Sequence, residues 1–290
     1  MGWADIAALG SCSDAAFHAL AGPLGLMTSL TYTATHGSYY NASTANSTVE
    51  GWARSLSANP PAGMRALLFI DPATRRGVVA FRGTDLDTCG ISGQADACAD
   101  HLLFAEPGPP PAYCEQFASG DIDYLERSLE FVALVEAAHP GLSLLFTGHS
   151  LGAGLAMMTS VAGGSPRPCV GFGTPPWLGP LRRRTGLSPS ASSLLFAVAD
   201  AYDPVEALAV RDRGLAGQVC RWGMREPPPA ACTTCFAGLR RGGSSRSTPC
   251  DECFRERHIY AHYMVELRGP RPDCVNASNA QLPDVPISAA

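Results

Sequence analysis

Apolar positions along the 290-residue chain fall into short continuous runs, interleaved with stretches where they recur every three to four residues. RALLFI (65–70) and GVVAFRG (77–83) are runs of the first kind, and the turn-forming DPATRR between them predicts a hairpin. SGDIDYLERSLEFVALVEAAHPG is of the second kind. Its Ile122, Leu125, Leu129 and Val132 repeat at helical spacing, polar residues open it, and Pro140-Gly141 closes it. LSLLFTG (142–148) then reads as a central strand buried on both faces, and LGAGLAMMTSVAGG as a helix ended by its glycine pair. CVGFGTP (169–175) and SLLFAVAD (193–200) are further strands. Strands alternating with helices predict an α/β architecture. Residues 1–60 carry only weak helical signals, and TDLDTCGISGQADACADHLLFAEPGPPPAYC reads as a long irregular segment.

FTGHSLGAG (146–154) joins the predicted strand to the predicted helix, with Ser150 between Gly148 and Gly152. A sharp strand-to-helix elbow places such a serine hydroxyl at its apex. The crossing is so close that a Cβ at 148 or 152 would collide. A serine hydroxyl becomes a useful nucleophile only when a base takes its proton and an acid orients that base. Downstream acids begin with Asp200 and Asp203 in VADAYDPV, where Pro204 favours a turn that projects the Asp203 carboxylate. The downstream bases are His258 and His262, both in RHIYAHYM. His149 reads as packing beneath the elbow without a part in the chemistry, and Arg82 as a structural ion-pair partner.

The combination is more specific than its parts. VVAFRGTD (78–85), GHSLGAG, VGFGTPP, DPV and HIYAHY, spread from about residue 65 to 265, resemble the motifs of the class 3 lipases. These are the fungal triacylglycerol lipases and their plant and algal relatives. The resemblance implies an α/β-hydrolase fold, with a mostly parallel central sheet flanked by helices over one domain, 1–290. It implies a carboxylic ester hydrolase with Ser150 as nucleophile, Asp203 as acid and His258 as base. Thr84 and Leu151 would form the oxyanion hole, with a lipid ester at an interface as substrate and neither cofactor nor metal. The chain departs from that family in a cysteine-rich insertion between acid and base (213–257). Its cysteine-rich loops and the broken ACADHLLF segment resemble, more weakly, autophagic vacuolar lipases. An esterase for small or aromatic acyl esters is the alternative enzyme, and a catalytically idle lipid- or partner-binding protein the alternative of another class.

A lid is expected at 86–114, because this long segment leaves the chain directly after Thr84. Leu102, Leu103 and Phe104 give it an apolar cluster able to meet lipid, which makes it a possible peripheral membrane contact. Cys89, Cys98 and Cys114 are placed to pin it.

Composition adds a compartment. Eleven cysteines and three N-x-S/T sequons, at Asn41, Asn46 and Asn276, favour a secreted protein or the lumen of the endomembrane system or vacuole. The N-terminus carries Asp5 and Asp14 where an apolar signal core would stand, so the signal is expected to be removed or not included. CTTC (232–235) and CDEC (250–253) have a spacing close to that of a zinc ribbon, but the other cysteines and the sequons favour disulfides. An odd total leaves at least one cysteine outside internal pairs. The net charge of −5 gives no footprint for nucleic acid, and the short runs RRR (182–184) and RRGGSSR (240–246) read as solvated loops. No segment has the length and apolarity to span a bilayer.

Overall fold

The computed structural model describes residues 3–32, 48–87, 89–104, 109–163, 167–187, 189, 194–223, 228–240 and 248–282. Asn41, Asn46 and most of RRGGSSR lie outside them. Among the described residues nine strands form one sheet in chain order. They are β1 (Thr48–Val49), β2 (Trp52–Ala58), β3 (Ala66–Asp71), β4 (Arg76–Phe81), β5 (Ser143–His149), β6 (Cys169–Phe172), β7 (Leu195–Asp200), β8 (Gln218–Trp222) and β9 (Asp273–Asn276). Strands β4 to β8 run parallel, while β1 to β4 and the β8–β9 pair are antiparallel. With helices on both faces this is the mostly parallel architecture of an α/β-hydrolase fold.

The continuous apolar runs are explained by the two covered faces, since successive strand residues point opposite ways. Leu68, Val79, Phe81, Leu144, Phe146 and Ala197 join one core; Phe69, Val78, Ala80, Leu145, Val170 and Val198 join the other. The first core is closed by α2 (Ile91–Phe104), α3 (Tyr124–Ala138), α4 (Leu151–Ala162) and α5 (Leu178–Thr185). Helix α4 is buried from Leu151 to Val161, so it reads as apolar all round. Helix α3 starts where its N-cap Asp123 accepts a hydrogen bond from Glu126 N–H. The second core is closed by α1 (Asp14–Tyr32) and α9 (Tyr260–Glu266).

Three stretches differ from the sequence reading. Helix α2 occupies the segment expected to be irregular. Its buried face is built from Gly93, Ala95, Asp96, Cys98, Ala99 and Leu103, and all but Leu103 are too small or polar to give a visible helical stripe. The expected insertion 213–257 divides: Gln218–Trp222 is sheet strand β8, and beyond it come two helices, α7 (Ala230–Arg240) and α8 (Thr248–Arg257). Here α6 is Pro204–Arg211, and Tyr202, Ala207, Phe236, Leu239 and the four cysteines make a small separate core with it. Finally, RRR is the last turn of α5 rather than a loop. Arg183 donates to the Leu103 carbonyl and Arg184 pairs with Asp123.

Four disulfides are formed: Cys98–Cys114, Cys220–Cys274, Cys232–Cys253 and Cys235–Cys250. Cys12, Cys89 and Cys169 are unpaired, so Cys89 does not pin the 86–114 segment. Cys98–Cys114 does, and α2 is further tied to the end of β4. The buried Arg82 guanidinium donates to Asp96 at 2.6 Å and to Ser92 at 2.9 Å, and Tyr124 O–H donates to the other Asp96 oxygen. Removing one partner of such a buried pair typically costs about 3–5 kcal/mol.

Candidate active site

Every parallel strand ends at the same edge of the sheet, and the site is assembled from the loops there. Strand β5 ends at His149 and α4 begins at Leu151. Ser150 makes the turn between them with φ 56°, a left-handed conformation that non-glycine residues rarely adopt. The flanking glycines answer to the crossing of strand and helix. A Cβ on Gly148 would lie 2.4 Å from Gly152 main-chain atoms, and one on Gly152 would lie 2.3 Å from the Phe81 carbonyl oxygen.

Asp203 caps α6. Its Oδ1 accepts from Val205 N–H at 2.8 Å, which points the other oxygen at the site. His258 follows α8 and donates from Nδ1 to Asp203 Oδ2 at 2.8 Å, while its Nε2 lies 2.8 Å from Ser150 Oγ. Tyr263 O–H donates to the same Asp203 oxygen. Burial opposes ionisation of Asp203. The adjoining His258 and the hydrogen bonds from His258, Tyr263 and Val205 N–H outweigh it and hold the carboxyl below its ordinary range. The three residues chosen from sequence thus meet in one hydrogen-bonded series.

The alternatives are elsewhere. His262 lies 2.9 Å from Asp200 and 3.5 Å from Glu266, and Arg257 donates to the same Asp200 oxygen at 3.1 Å. Asp200, His262 and Glu266 have the spacing of a metal triad, but Arg257 already supplies the positive charge there.

A cavity of about 1480 Å³ opens over Ser150 and His258. It exceeds the ordinary 300–1,000 Å³ of small-molecule pockets. Its wall is largely apolar: Phe104 from α2, Val205 and Leu208 from α6, Phe254 from α8, and Met264 and Val265 from α9. Thr84 and Leu151 also line it. As the first residue of α4, Leu151 presents a main-chain N–H that no carbonyl within the helix can satisfy. The expected lid cluster is split: Phe104 lines the cavity, Leu102 is exposed, and Leu103 turns into the core.

Three features were not singled out from the sequence. Tyr32, at the end of α1, donates to His149. Tyr263 supports Asp203. Asp100, on the cavity wall, accepts from Thr84 Oγ1 at 2.7 Å. No short motif marks Asp100 or Tyr32, because their roles depend on long-range contacts. Burial, opposed by the Thr84 hydrogen bond, raises the Asp100 carboxyl from 3.8 to about 7. Below the ordinary carboxylate range this group is neutral whether the chain is folded or not. Between there and pH 7 the unfolded chain releases the proton and the folded chain keeps it, so stability falls as pH rises and levels off above about 7. Asp100 is only partly buried, which discounts the loss to about 2 kcal/mol. Asp100→Asn keeps an oxygen for Thr84 but cannot ionise. Relative to the unsubstituted protein its Tm should rise by about 5 °C between pH 4 and pH 8. A difference that stays flat across that interval would mean that folded Asp100 ionises normally.

No protein-family model and no curated protein sequence matches the chain. In three dimensions it is similar to a mutant form of MDLA from Penicillium cyclopium (17% identity, TM-score 0.46, covering 76% of this chain and 86% of that one). It is also similar to nonglycosylated LIP2 lipase of Yarrowia lipolytica (15% identity, TM-score 0.45, 73% and 81%) and to lipase II from Rhizopus niveus (14% identity, TM-score 0.44, 72% and 82%).

Proposed function

We propose that the protein is a lipid-directed serine esterase. The observation that carries this reading is the series Ser150–His258–Asp203, joined by two 2.8 Å contacts at the base of a large apolar cavity. Ser150 Oγ attacks the acyl carbonyl as its proton passes to His258 Nε2. Asp203 holds Nδ1–H toward itself, which leaves Nε2 free to accept, and it stabilises the imidazolium that forms. The tetrahedral oxyanion is bound by main-chain N–H groups of Thr84 and Leu151, the latter at the positive end of α4. His258 then returns the proton to the leaving alcohol. Water, deprotonated by the same base, hydrolyses the acyl-enzyme to free acid and Ser150. No step calls on a cofactor.

Cavity size and lining favour long acyl chains over small or aromatic ones. The lid at 86–114 remains part of the reading, with Leu86 (63% exposed) and Phe104 as the residues that meet lipid. Leu103 is excluded from that role by its burial. Four disulfides suit an oxidising, secretory compartment. Among the described residues no helix is long and apolar enough to cross a membrane.

A fluorophosphonate probe tests the function. It should label Ser150, and the unsubstituted protein should cleave emulsified triacylglycerols or phospholipids faster than p-nitrophenyl acetate. Absence of labelling would leave an idle binding protein; labelling with a preference for acetate or aromatic esters would leave the small-ester reading. For the lid, the rate on tributyrin should rise severalfold above its solubility limit, and Leu86→Ser should blunt that rise. Smooth saturation through the limit, unchanged in the variant, would remove the lid.

A further inference from the structure

His149 lies one residue before Ser150 and is buried, yet both of its ring nitrogens are engaged. Nε2 is 2.7 Å from the main-chain oxygen of His258, and Nδ1 is 2.8 Å from Tyr32 Oη. The chemistry of the partners fixes every direction. A carbonyl can only accept, so Nε2 carries the proton. A neutral imidazole then has a lone pair on Nδ1, and Tyr32 O–H must donate to it. The Tyr32 oxygen, its own proton committed, accepts from Gly83 N–H. A continuous chain therefore runs from Gly83, next to Thr84, through Tyr32 and His149 to the backbone of His258.

The far end of this chain matters because His258 sits at the junction of α8 and α9, where its N–H closes the last turn onto Phe254 and its own carbonyl has no helical partner. His149 supplies the partner, from the residue that adjoins the nucleophile. The ring is caged: Tyr260 and Tyr263 meet it edge-on at 4.9 and 5.3 Å, His258 lies at 4.8 Å, and Tyr260 stacks on Tyr32 at 5.6 Å. At the near end, a Cβ on Gly83 would lie 2.0 Å from Tyr32 Oη, so the strand end and the phenol are in direct contact.

We propose that His149, held in one tautomer by Tyr32, is a positioning residue that sets the main chain of His258 against Ser150 and ties the oxyanion strand to the same frame. The inference rests on the esterase reading and goes beyond it, since neither residue touches the reacting atoms in that scheme. Burial, then the proximity of His258, lower His149 to about 3, so it stays neutral while His258 becomes a cation 4.8 Å away. A second cation there would oppose the transition state.

The test is steady-state hydrolysis of p-nitrophenyl butyrate by His149→Phe, His149→Gln, Tyr32→Phe and the Tyr32→Phe/His149→Phe double variant, with Tm recorded for each. Displacing a catalytic group by about 1 Å costs up to about 100-fold, so His149→Phe should lose up to that in kcat with KM within about twofold. His149→Gln, whose amide N–H reaches for the same carbonyl, should recover about tenfold of the loss. Tyr32→Phe should lower kcat about tenfold alone and not at all in the His149→Phe background, because the two act through one chain. Near-normal kcat in folded His149→Phe, no rescue by glutamine, or additive losses would each overturn the proposal. If His149→Phe does not fold, an unaltered kcat in Tyr32→Phe overturns it equally. Failure of the probe to label Ser150 in the unsubstituted protein would instead sink the esterase reading, and this inference with it.

Discussion

Ser150→Ala is expected to lower ester hydrolysis by about a million-fold while leaving Tm nearly unchanged. On the esterase reading Ser150 has no substitute: the cavity-lining hydroxyls of Thr84, Tyr32 and Tyr260 donate to Asp100, His149 and the Gly25 carbonyl, whereas Ser150 Oγ lies 2.8 Å from His258 Nε2. Stability should hold because alanine and serine face the same penalty at φ 56°, and the lost hydroxyl leaves His258 Nε2 open to cavity water. His258→Ala should match this loss, and the Ser150→Ala/His258→Ala pair should be no worse than either alone, since the residues act as a unit. Asp203→Asn should cost about ten-thousand-fold, as the amide favours the tautomer with its proton on the wrong nitrogen. His262→Ala should change the rate less than about threefold, because its contacts are to Asp200 and Glu266. Rates on p-nitrophenyl butyrate check the series. A dead His262→Ala beside an active His258→Ala would transfer the base to His262.

Much of this arrangement was legible because its physical causes are local. The runs LSLLFTG and SLLFAVAD are apolar throughout because their strands are covered on both faces, and β5 and β7 form within a residue or two of them. The elbow was legible from its glycines, whose absence of Cβ is a direct record of a 2.4 Å approach. Strand β2, next to the sheet edge, was not, because WARSLSA alternates half-buried and exposed positions and offers no apolar run. Strand β8 hid inside a cysteine-rich stretch, its pairing with β9 fastened by a disulfide across 54 residues of chain. Asp100, Tyr32 and the use made of His149 were invisible for a different reason. Each acts through a partner on another element, Tyr32 being 117 residues from the imidazole it orients. The pairing of four cysteines is likewise open in sequence, since four thiols allow three connectivities.

The cysteine pairing carries the other large expected effect. On a helix, C-x₂-C puts two thiols on one face about a turn apart. Helices α7 and α8 each carry such a pair, and they join as two rungs: Cys232 to Cys253 and, inside it, Cys235 to Cys250. His258 follows α8 directly, so the rungs hold the segment that brings its imidazole to Ser150. Closing a loop of this size contributes about 3 kcal/mol, and because the inner loop is nested within the outer, removing one rung should cost less than that while removing both should cost at least that much. Cys235→Ser/Cys250→Ser should therefore retain most activity with a Tm lowered by a few degrees. Replacing all four cysteines should unfold the α7–α8 unit and lower kcat/KM by more than about 100-fold, because His258 then loses its fixed approach. Alkylation of the denatured, unreduced protein should modify Cys12, Cys89 and Cys169 and spare the quartet. A tightly bound zinc in the native mass spectrum, with four alkylatable thiols at 232, 235, 250 and 253 after its removal, would replace the two rungs by a metal centre. Full activity in the four-serine variant would show that α6 and the sheet hold His258 without them.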